Sequence, residues 1–312
     1  MKSPVERILA KLGMPTLVEA LSARLSGADL TSLLLEVMRR RAADVTAADL
    51  VQRYGSDRFV VAPTASFRSL RRAEEALIAT CPANVDLLAL APLVPLGTHS
   101  AIATVDQNKV VSSIRGTEVA ADPTNALALE ASVRRAAALR RDAKSAEIVW
   151  LGATQRVVRA QHVSGPGYFA HFQLFGFVTA GRDTGGREFD AMAAREHLLL
   201  HTRALVALGA ARITVSLTDF SGGRVEPVTA AARRVLAGVP AVTCVDYPER
   251  KAGRGYYRDF CFKVHAAFAG DPFETSDGGC VDWTQRLVGS VKERCFISGI
   301  GVDRLALAIA PP

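Results

Sequence analysis

The chain has 312 residues and a mass of 33.3 kDa, enough for one large domain, or a medium domain with an appendage, around a sizeable core. At 49% hydrophobic and 22% charged residues the composition is globular rather than disordered, and no stretch has the unbroken apolar length of a membrane span or a signal-peptide h-region. The net charge of +7 permits contact with a polyanion without requiring one, while five widely spaced cysteines, Cys81, Cys244, Cys261, Cys280 and Cys295, with no C-x-x-C, point to a reducing, cytoplasmic setting rather than a disulfide framework or zinc knuckle.

The first 58 residues read as a helical segment, and residues 59–312 as one core domain. Ser3-Pro4-Val5-Glu6 is a capping box with Pro at the first helical position, and Gly13 followed by Pro15 ends that helix. Asp29 is expected to cap a second helix, whose Leu30, Leu33, Leu34, Val37 and Met38 recur at helical spacing up to Arg39-Arg40-Arg41. Those three arginines suit a helix C-terminus without any partner. Thr46 to Asp49 opens a short third helix. Beyond residue 59, strands and helices alternate. Strands are predicted over Val110–Arg115, Glu147–Leu151, Tyr168–Thr179 (after a Gly165-Pro166-Gly167 turn), around Ile213–Leu217, and over Tyr256–Phe268. Helices are predicted over Pro123–Arg141 and Glu188–Leu208, and Gly299-Ile300-Gly301 is expected to open a last apolar helix. Long strands joined by hairpin-like turns imply an α+β protein with a largely antiparallel sheet. No Walker-type loop and no G-x-G-x-x-G after a strand occurs, so nucleotide chemistry would need another scaffold. His197 and His201 stand at i, i+4, but Leu198 replaces the glutamate of a metalloprotease helix and no third ligand is evident. They read as two histidines on a solvated helix face, and no metal site is expected.

Three stretches taken in order resemble the signature of class II aminoacyl-tRNA synthetases, most closely the catalytic core of histidyl-tRNA synthetase and its paralogue, the ATP phosphoribosyltransferase regulatory subunit. Leu151-Gly152-Ala153-Thr154-Gln155-Arg156-Val157-Val158-Arg159-Ala160-Gln161, with the returning Phe169-Ala170-His171-Phe172-Gln173-Leu174-Phe175-Gly176, is similar to motif 2. Gly253-Arg254-Gly255-Tyr256-Tyr257-Arg258-Asp259-Phe260 resembles the histidine-specific segment. Gly299-Ile300-Gly301-Val302-Asp303-Arg304-Leu305 resembles motif 3. Gly278-Gly279-Cys280-Val281-Asp282 sits where that family has Gly-Gly-Arg-Tyr-Asp, and Asp122-Pro123-Thr124 resembles the acidic-x-Thr turn that opens the amino-acid pocket. The resemblance spans about residues 60 to 310.

It implies an antiparallel-sheet core that binds ATP, with Mg2+, and an amino or carboxylic acid. Activating a carboxylate with ATP calls for cations at the phosphates, and arginine presents a planar, permanently charged fork. By resemblance, Arg156 and Arg304 would flank the phosphates, Phe172 would stack on adenine, and Gly299 and Gly301 would let backbone approach the nucleotide. Asp122 and Tyr257 would match positions that hold the substrate amino group and line the amino-acid pocket, with Thr124 and Tyr256 beside them. A homodimer is expected, with Leu87-Leu88-Ala89-Leu90-Ala91-Pro92-Leu93-Val94-Pro95-Leu96 lying about where the motif 1 strand should be.

Departures from the pattern narrow the reading. The motif 2 glutamate is Val158, the acidic residue of the returning strand is Val178, and the histidine-specific arginine is Ala252, with Lys251 or Arg254 as stand-ins. Gly255 replaces the Asp before the tyrosine pair, and Arg258-Asp259 replaces the Thr-Gly after it. Trading charged groups for Val and Ala removes polar recognition. Two functions follow. One is a paralogue that activates an acid for an acceptor other than the usual tRNA, such as a carrier protein, a small molecule or another protein. The other is a non-catalytic regulator of a partner enzyme, like the ATP phosphoribosyltransferase subunit of histidine biosynthesis. A tRNA-binding module ranks behind both because no dedicated RNA domain is visible.

Overall fold

The computed structural model describes residues 2–161 and 169–309; the Gly165-Pro166-Gly167 turn and Tyr168 lie outside them. Helices open the chain as expected: α1 (Pro4–Leu12), α2 (Leu17–Glu19) running into a π-turn (Ala20–Arg24), α3 (Gly27–Ala43) and α4 (Ala47–Ser56). The capping boxes of α1 and α4 are formed, Ser3 with Glu6 and Thr46 with Asp49. Asp29 is not the cap of α3. Ser26 holds that position, its hydroxyl accepting the Asp29 N–H at 3.1 Å, because Gly27 and Ala28 already take helical geometry. None of these four helices contributes a buried residue.

The remainder runs α5 (Phe67–Thr80), β1 (Asp86–Leu87), β2 (Leu93–Pro95), α6 (Thr98–Ala103), β3 (Thr117–Val119), α7 (Pro123–Arg141), β4 (Val149–Val158), β5 (His171–Arg182) and α8 (Glu188–Ala207), then β6 (Arg212–Asp219), α9 (Glu226–Leu236), β7 (Val242–Asp246), β8 (Phe260–Ala267), β9 (Phe273–Val281), α10 (Trp283–Val288), β10 (Glu293–Gly301) and α11 (Val302–Ala308). Eight strands form one sheet in the order β1-β4-β5-β10-β9-β8-β6-β7. It is antiparallel throughout its middle and parallel only at its two edges, β1 with β4 and β6 with β7. The fold is therefore α+β. Strand alternation supplies both cores. One face of the sheet buries Phe175, Phe177, Phe262 and Phe296 against α5, α8, α9 and α11. The other buries Leu151, Val178 and Ile297 against α7, α6 and α10.

Several sequence expectations are corrected. Val110–Arg115 is not a strand: Asp106 caps a single 3-10 turn (Gln107–Lys109), and only Ser112 bridges, to Glu118, around Gly116 at φ 65°. The apolar run expected as one motif 1 strand divides, β1 pairing with β4 and β2 with β3. Gly299-Ile300-Gly301 is itself strand, completing β10 opposite Gly176, Phe175 and Leu174, and the expected helix, α11, follows directly with Gly301 as its N-cap. The strand expected from Tyr256 starts only at Phe260, after a turn in which Asp259 takes φ 59°. His197 and His201 face the core, not solvent; both are fully buried. Their rings bracket the Ser298 hydroxyl of β10, His197 through Nδ1 and His201 through Nε2, each at 2.7 Å, and His197 Nε2 meets Thr179 Oγ1 at 2.9 Å. Burial pulls His201 down to about 3 and His197 well below its ordinary value, so both are neutral.

Candidate functional site

One end of the central strands opens into a cleft of about 360 Å3. The start of β5 brings Phe172 and Gln173 to it, the end of β10 brings Gly299 and Gly301, the start of β9 brings Glu274 and Asp277, and the first turn of α11 brings Asp303 and Arg304. Asp122, Arg159 and Arg58 complete the lining. Arg58 reaches it from just beyond α4, donating to the carbonyls of Ala160 and, at 3.1 Å, Gln161.

The Asp122 turn is held from below by a buried polar network. His99, fully buried, donates through Nδ1 to Asn125 Oδ1 at 2.6 Å and accepts the Ala121 N–H at Nε2 at 3.0 Å. These partners assign the Nδ1–H tautomer. Glu118 accepts from the His99 and Gly97 amides and from Gln107. Burial works to raise its carboxyl, yet those hydrogen bonds hold it below its ordinary value.

Asp122 itself caps α7. Its Oδ1 accepts from the Thr124 N–H at 2.9 Å and the Thr124 hydroxyl at 2.7 Å, and its Oδ2 meets Arg159 at 3.2 Å. The Arg159 guanidinium also lies 5.1 Å from the centre of the Phe172 ring, a cation–π distance. Thr124 is buried beneath the turn, close to the Tyr256 hydroxyl. Burial, with Asp122 and Asp277 nearby, lifts that phenol well above its ordinary value. Tyr257 is buried, packed edge-on against Tyr256 with ring centres 4.9 Å apart. Neither tyrosine lines the cleft; Tyr256 borders a smaller neighbouring one with Trp283.

Arg304 lines the cleft and donates to the Glu274 carbonyl at 3.1 Å. Arg156 does not line it. Strand alternation turns Arg156 to the face opposite Val157 and Phe172, where its guanidinium pairs with Asp303 at 3.3 Å. Asp303 also accepts the Gln173 N–H at 2.6 Å, although burial still lifts its carboxyl above the ordinary range. Val158 stands at the outer end of β4 opposite His171, and Val178 is wholly buried in the core under α7. Of the stand-ins for the arginine missing at Ala252, Arg254 turns away onto the Phe220 ring, at 4.7 Å. Lys251, the other, is exposed. The buried arginine of this stretch is one the sequence did not single out, Arg250: it donates to the carbonyls of Ala252 and Phe262 and comes within 3.6 Å of Asp277. Arg250 and Asp277 carry no motif of their own, and only the turn before β8 and the register of β9 bring them together. Arg159, by contrast, stands within the motif 2 stretch. Among the described residues no group of three or more His, Cys, Asp or Glu side chains could hold a metal ion, and no helix is long and apolar enough to cross a membrane.

No protein-family model matches the chain, and no curated protein matches it in sequence. Solved structures do. An ATP phosphoribosyltransferase regulatory subunit/histidyl-tRNA synthetase from Bacillus halodurans superposes with a TM-score of 0.58 at 12% identity, over 78% of this chain and 80% of its own. Apo histidyl-tRNA synthetase from S. aureus gives 0.57 at 13% identity over 78% of this chain, and a putative threonyl-tRNA synthetase from Aeropyrum pernix gives 0.57 at 12% over 77%. The fold is that of a class II synthetase core. The match spans only 65% and 59% of those two synthetases. The cleft lies where the hairpin that resembles motif 2, β4 and β5, meets the strand and helix that resemble motif 3, β10 and α11.

Proposed function

We propose that the cleft binds ATP and the carboxylate of an amino or carboxylic acid, and that the protein activates that acid for an acceptor other than the usual tRNA, such as a carrier protein. One observation carries the reading: a single cleft gathers an aromatic face, Phe172, two arginines, Arg159 and Arg304, and two side-chain-free strand positions, Gly299 and Gly301. A purine would lie on Phe172, and Arg159 and Arg304 would face the phosphates, where charge develops during in-line attack. Glycine at both strand positions lets the bound adenylate approach the backbone. Arg156 acts through Asp303 and the Gln173 amide, fixing the wall of the cleft. Magnesium would arrive bound to the phosphates, since no cluster of three protein ligands occurs among the described residues.

Isothermal titration with Mg2+–ATP tests this. The wild type is expected to bind, Arg304→Ala to bind about 10- to 150-fold more weakly, the loss of one charge-assisted hydrogen bond, and Val158→Glu to bind at least as well as wild type. Absence of ATP binding by the wild type up to millimolar concentration rejects the reading. The second reading, a non-catalytic regulator of a partner enzyme, is favoured by Val158, Val178 and Ala252, which stand where the family pattern has charged groups. It expects no pyrophosphate exchange with any amino acid, together with retention of a partner enzyme in a pull-down.

A further inference from the structure

Four carboxylates face the cleft, Asp122, Glu274, Asp277 and Asp303, and three of them are already engaged. Asp122 accepts three hydrogen bonds, from the Thr124 amide and hydroxyl and from Arg159, of the roughly four that a carboxylate can take. Glu274 holds Lys263 at 2.7 Å, and Asp303 holds the Gln173 amide and Arg156. Asp277 differs. Its nearest cation among the described residues is Arg250 at 3.6 Å, outside hydrogen-bonding reach, and two donors of Arg250 are already given to the carbonyls of Ala252 and Phe262.

The approach to Asp277 is open. Its partner across the sheet on β10 is Gly299 and on β8 is Lys263, which turns to Glu274. A methyl group on Gly299 would meet no atom nearer than the Phe175 carbonyl at 3.8 Å, so space lies over that strand position. Although about two-fifths of the Asp277 side chain is open to the cleft, the surrounding protein lifts its carboxyl above the ordinary range, against the pull of Arg250. A cation entering over Gly299 would supply the missing partner and favour the ionised form.

We propose that Asp277, rather than the Asp122 expected from the family pattern, receives the ammonium group of the bound acid, so that the cleft takes amino acids in preference to plain carboxylic acids. The proposal rests on the adenylate-binding reading above and narrows it to one substrate class. The ammonium would sit beside Gly299, two residues along β10 from the Gly301 and Arg304 end of the cleft, which leaves the nucleotide end to Arg304, Arg159 and Phe172.

A pair of probes that differ only in the amine tests it: glycyl-sulfamoyl adenosine and acetyl-sulfamoyl adenosine, titrated calorimetrically alongside ATP. Neither carries a side chain that could be refused. The wild type is expected to favour the glycyl probe by about 10- to 100-fold, the range for one charge-assisted contact in a partly buried site. Asp277→Asn, close in shape to the wild type, is expected to abolish that preference while leaving acetyl-probe and ATP affinity unchanged, and Asp122→Asn is expected to keep it. Gly299→Ala, which the structure accommodates, should reduce glycyl-probe affinity more than acetyl-probe affinity. Equal affinity of the wild type for the two probes, or a preference that survives Asp277→Asn, overturns the ammonium anchor while ATP binding stands. Failure of ATP and both probes to bind overturns the anchor and the adenylate reading together.

Discussion

Replacing Arg135 with Met should be among the most destabilising single changes in the core. Arg135 projects from the middle of α7 and is wholly buried, as is Glu293 at the start of β10. Their pair is bidentate, Nε to Oε2 at 2.7 Å and Nη2 to Oε1 at 2.9 Å. The guanidinium also donates to the carbonyls of Ser145 and Glu147. The pair ties together the two elements that carry the site, since α7 begins at the Asp122 turn and β10 ends at Gly299 and Gly301. Arg135→Met leaves a buried carboxylate without its partner, a cost of about 3–5 kcal/mol, and strands two carbonyls at about 1 kcal/mol each. Against a total stability of about 5–15 kcal/mol, the single variant should be close to unfolded. Arg135→Met combined with Glu293→Leu removes the stranded charge and leaves mainly the two carbonyls, so it should recover about 2–4 kcal/mol. Urea denaturation of the four proteins of the cycle measures this. A single variant that loses less than 1 kcal/mol, or a double variant less stable than the single, would refute the reasoning.

Acid should weaken the fold through His197 and His201. Both stay neutral when folded but take up protons when unfolded, so stability is complete above about pH 6.5 and falls as pH drops below it, towards the folded value of about 3 for His201, by about 1.4 kcal/mol per pH unit for each histidine; a His201→Gln variant with an undiminished pH slope in urea titrations would contradict this. Gly279→Ala should abolish soluble expression, because its new methyl would collide with the Phe260 carbonyl and lie 2.8 Å from Cys261 Cα, backbone that cannot yield, whereas Gly55→Ala, with nothing within 4 Å, should express normally. Light scattering at micromolar concentration should report twice the 33.3 kDa chain mass if, as expected from the class II resemblance, the protein is a homodimer; a single-chain mass rejects that expectation.

Much of the site was legible because it is carried by contiguous stretches. Phe172, Gly299, Gly301 and Arg304 sit in runs whose order alone suggested a motif 2 hairpin and a motif 3 turn, and the structure brings all four to one cleft. Arg156 shows the limit of that reading. Its place in the motif was evident, but the side of the sheet it faces depends on strand register, which put Arg159 in the cleft and Arg156 against Asp303. Arg250 and Asp277 were invisible as a pair, because their meeting depends on how the turn before β8 folds back over β9.

Local chemistry in the sequence determined the helix starts at Ser3, Thr46 and Asp122, where capping side chains act within three residues, and the half-buried β6, where alternation alone specifies the faces. Only the tertiary structure decided the rest. Gly299-Ile300-Gly301 becomes strand because β5 and β9 offer it ladder partners from distant parts of the chain. His197 and His201 look like surface residues of an amphipathic helix until Ser298 and Thr179, more than fifteen residues away in sequence, supply their hydrogen bonds. Val110–Arg115 has the residues of a strand but stays irregular, pairing only through Ser112. Caps and alternation are short-range and travel with the residues themselves, whereas pairing and burial exist only once a partner from elsewhere in the chain has arrived.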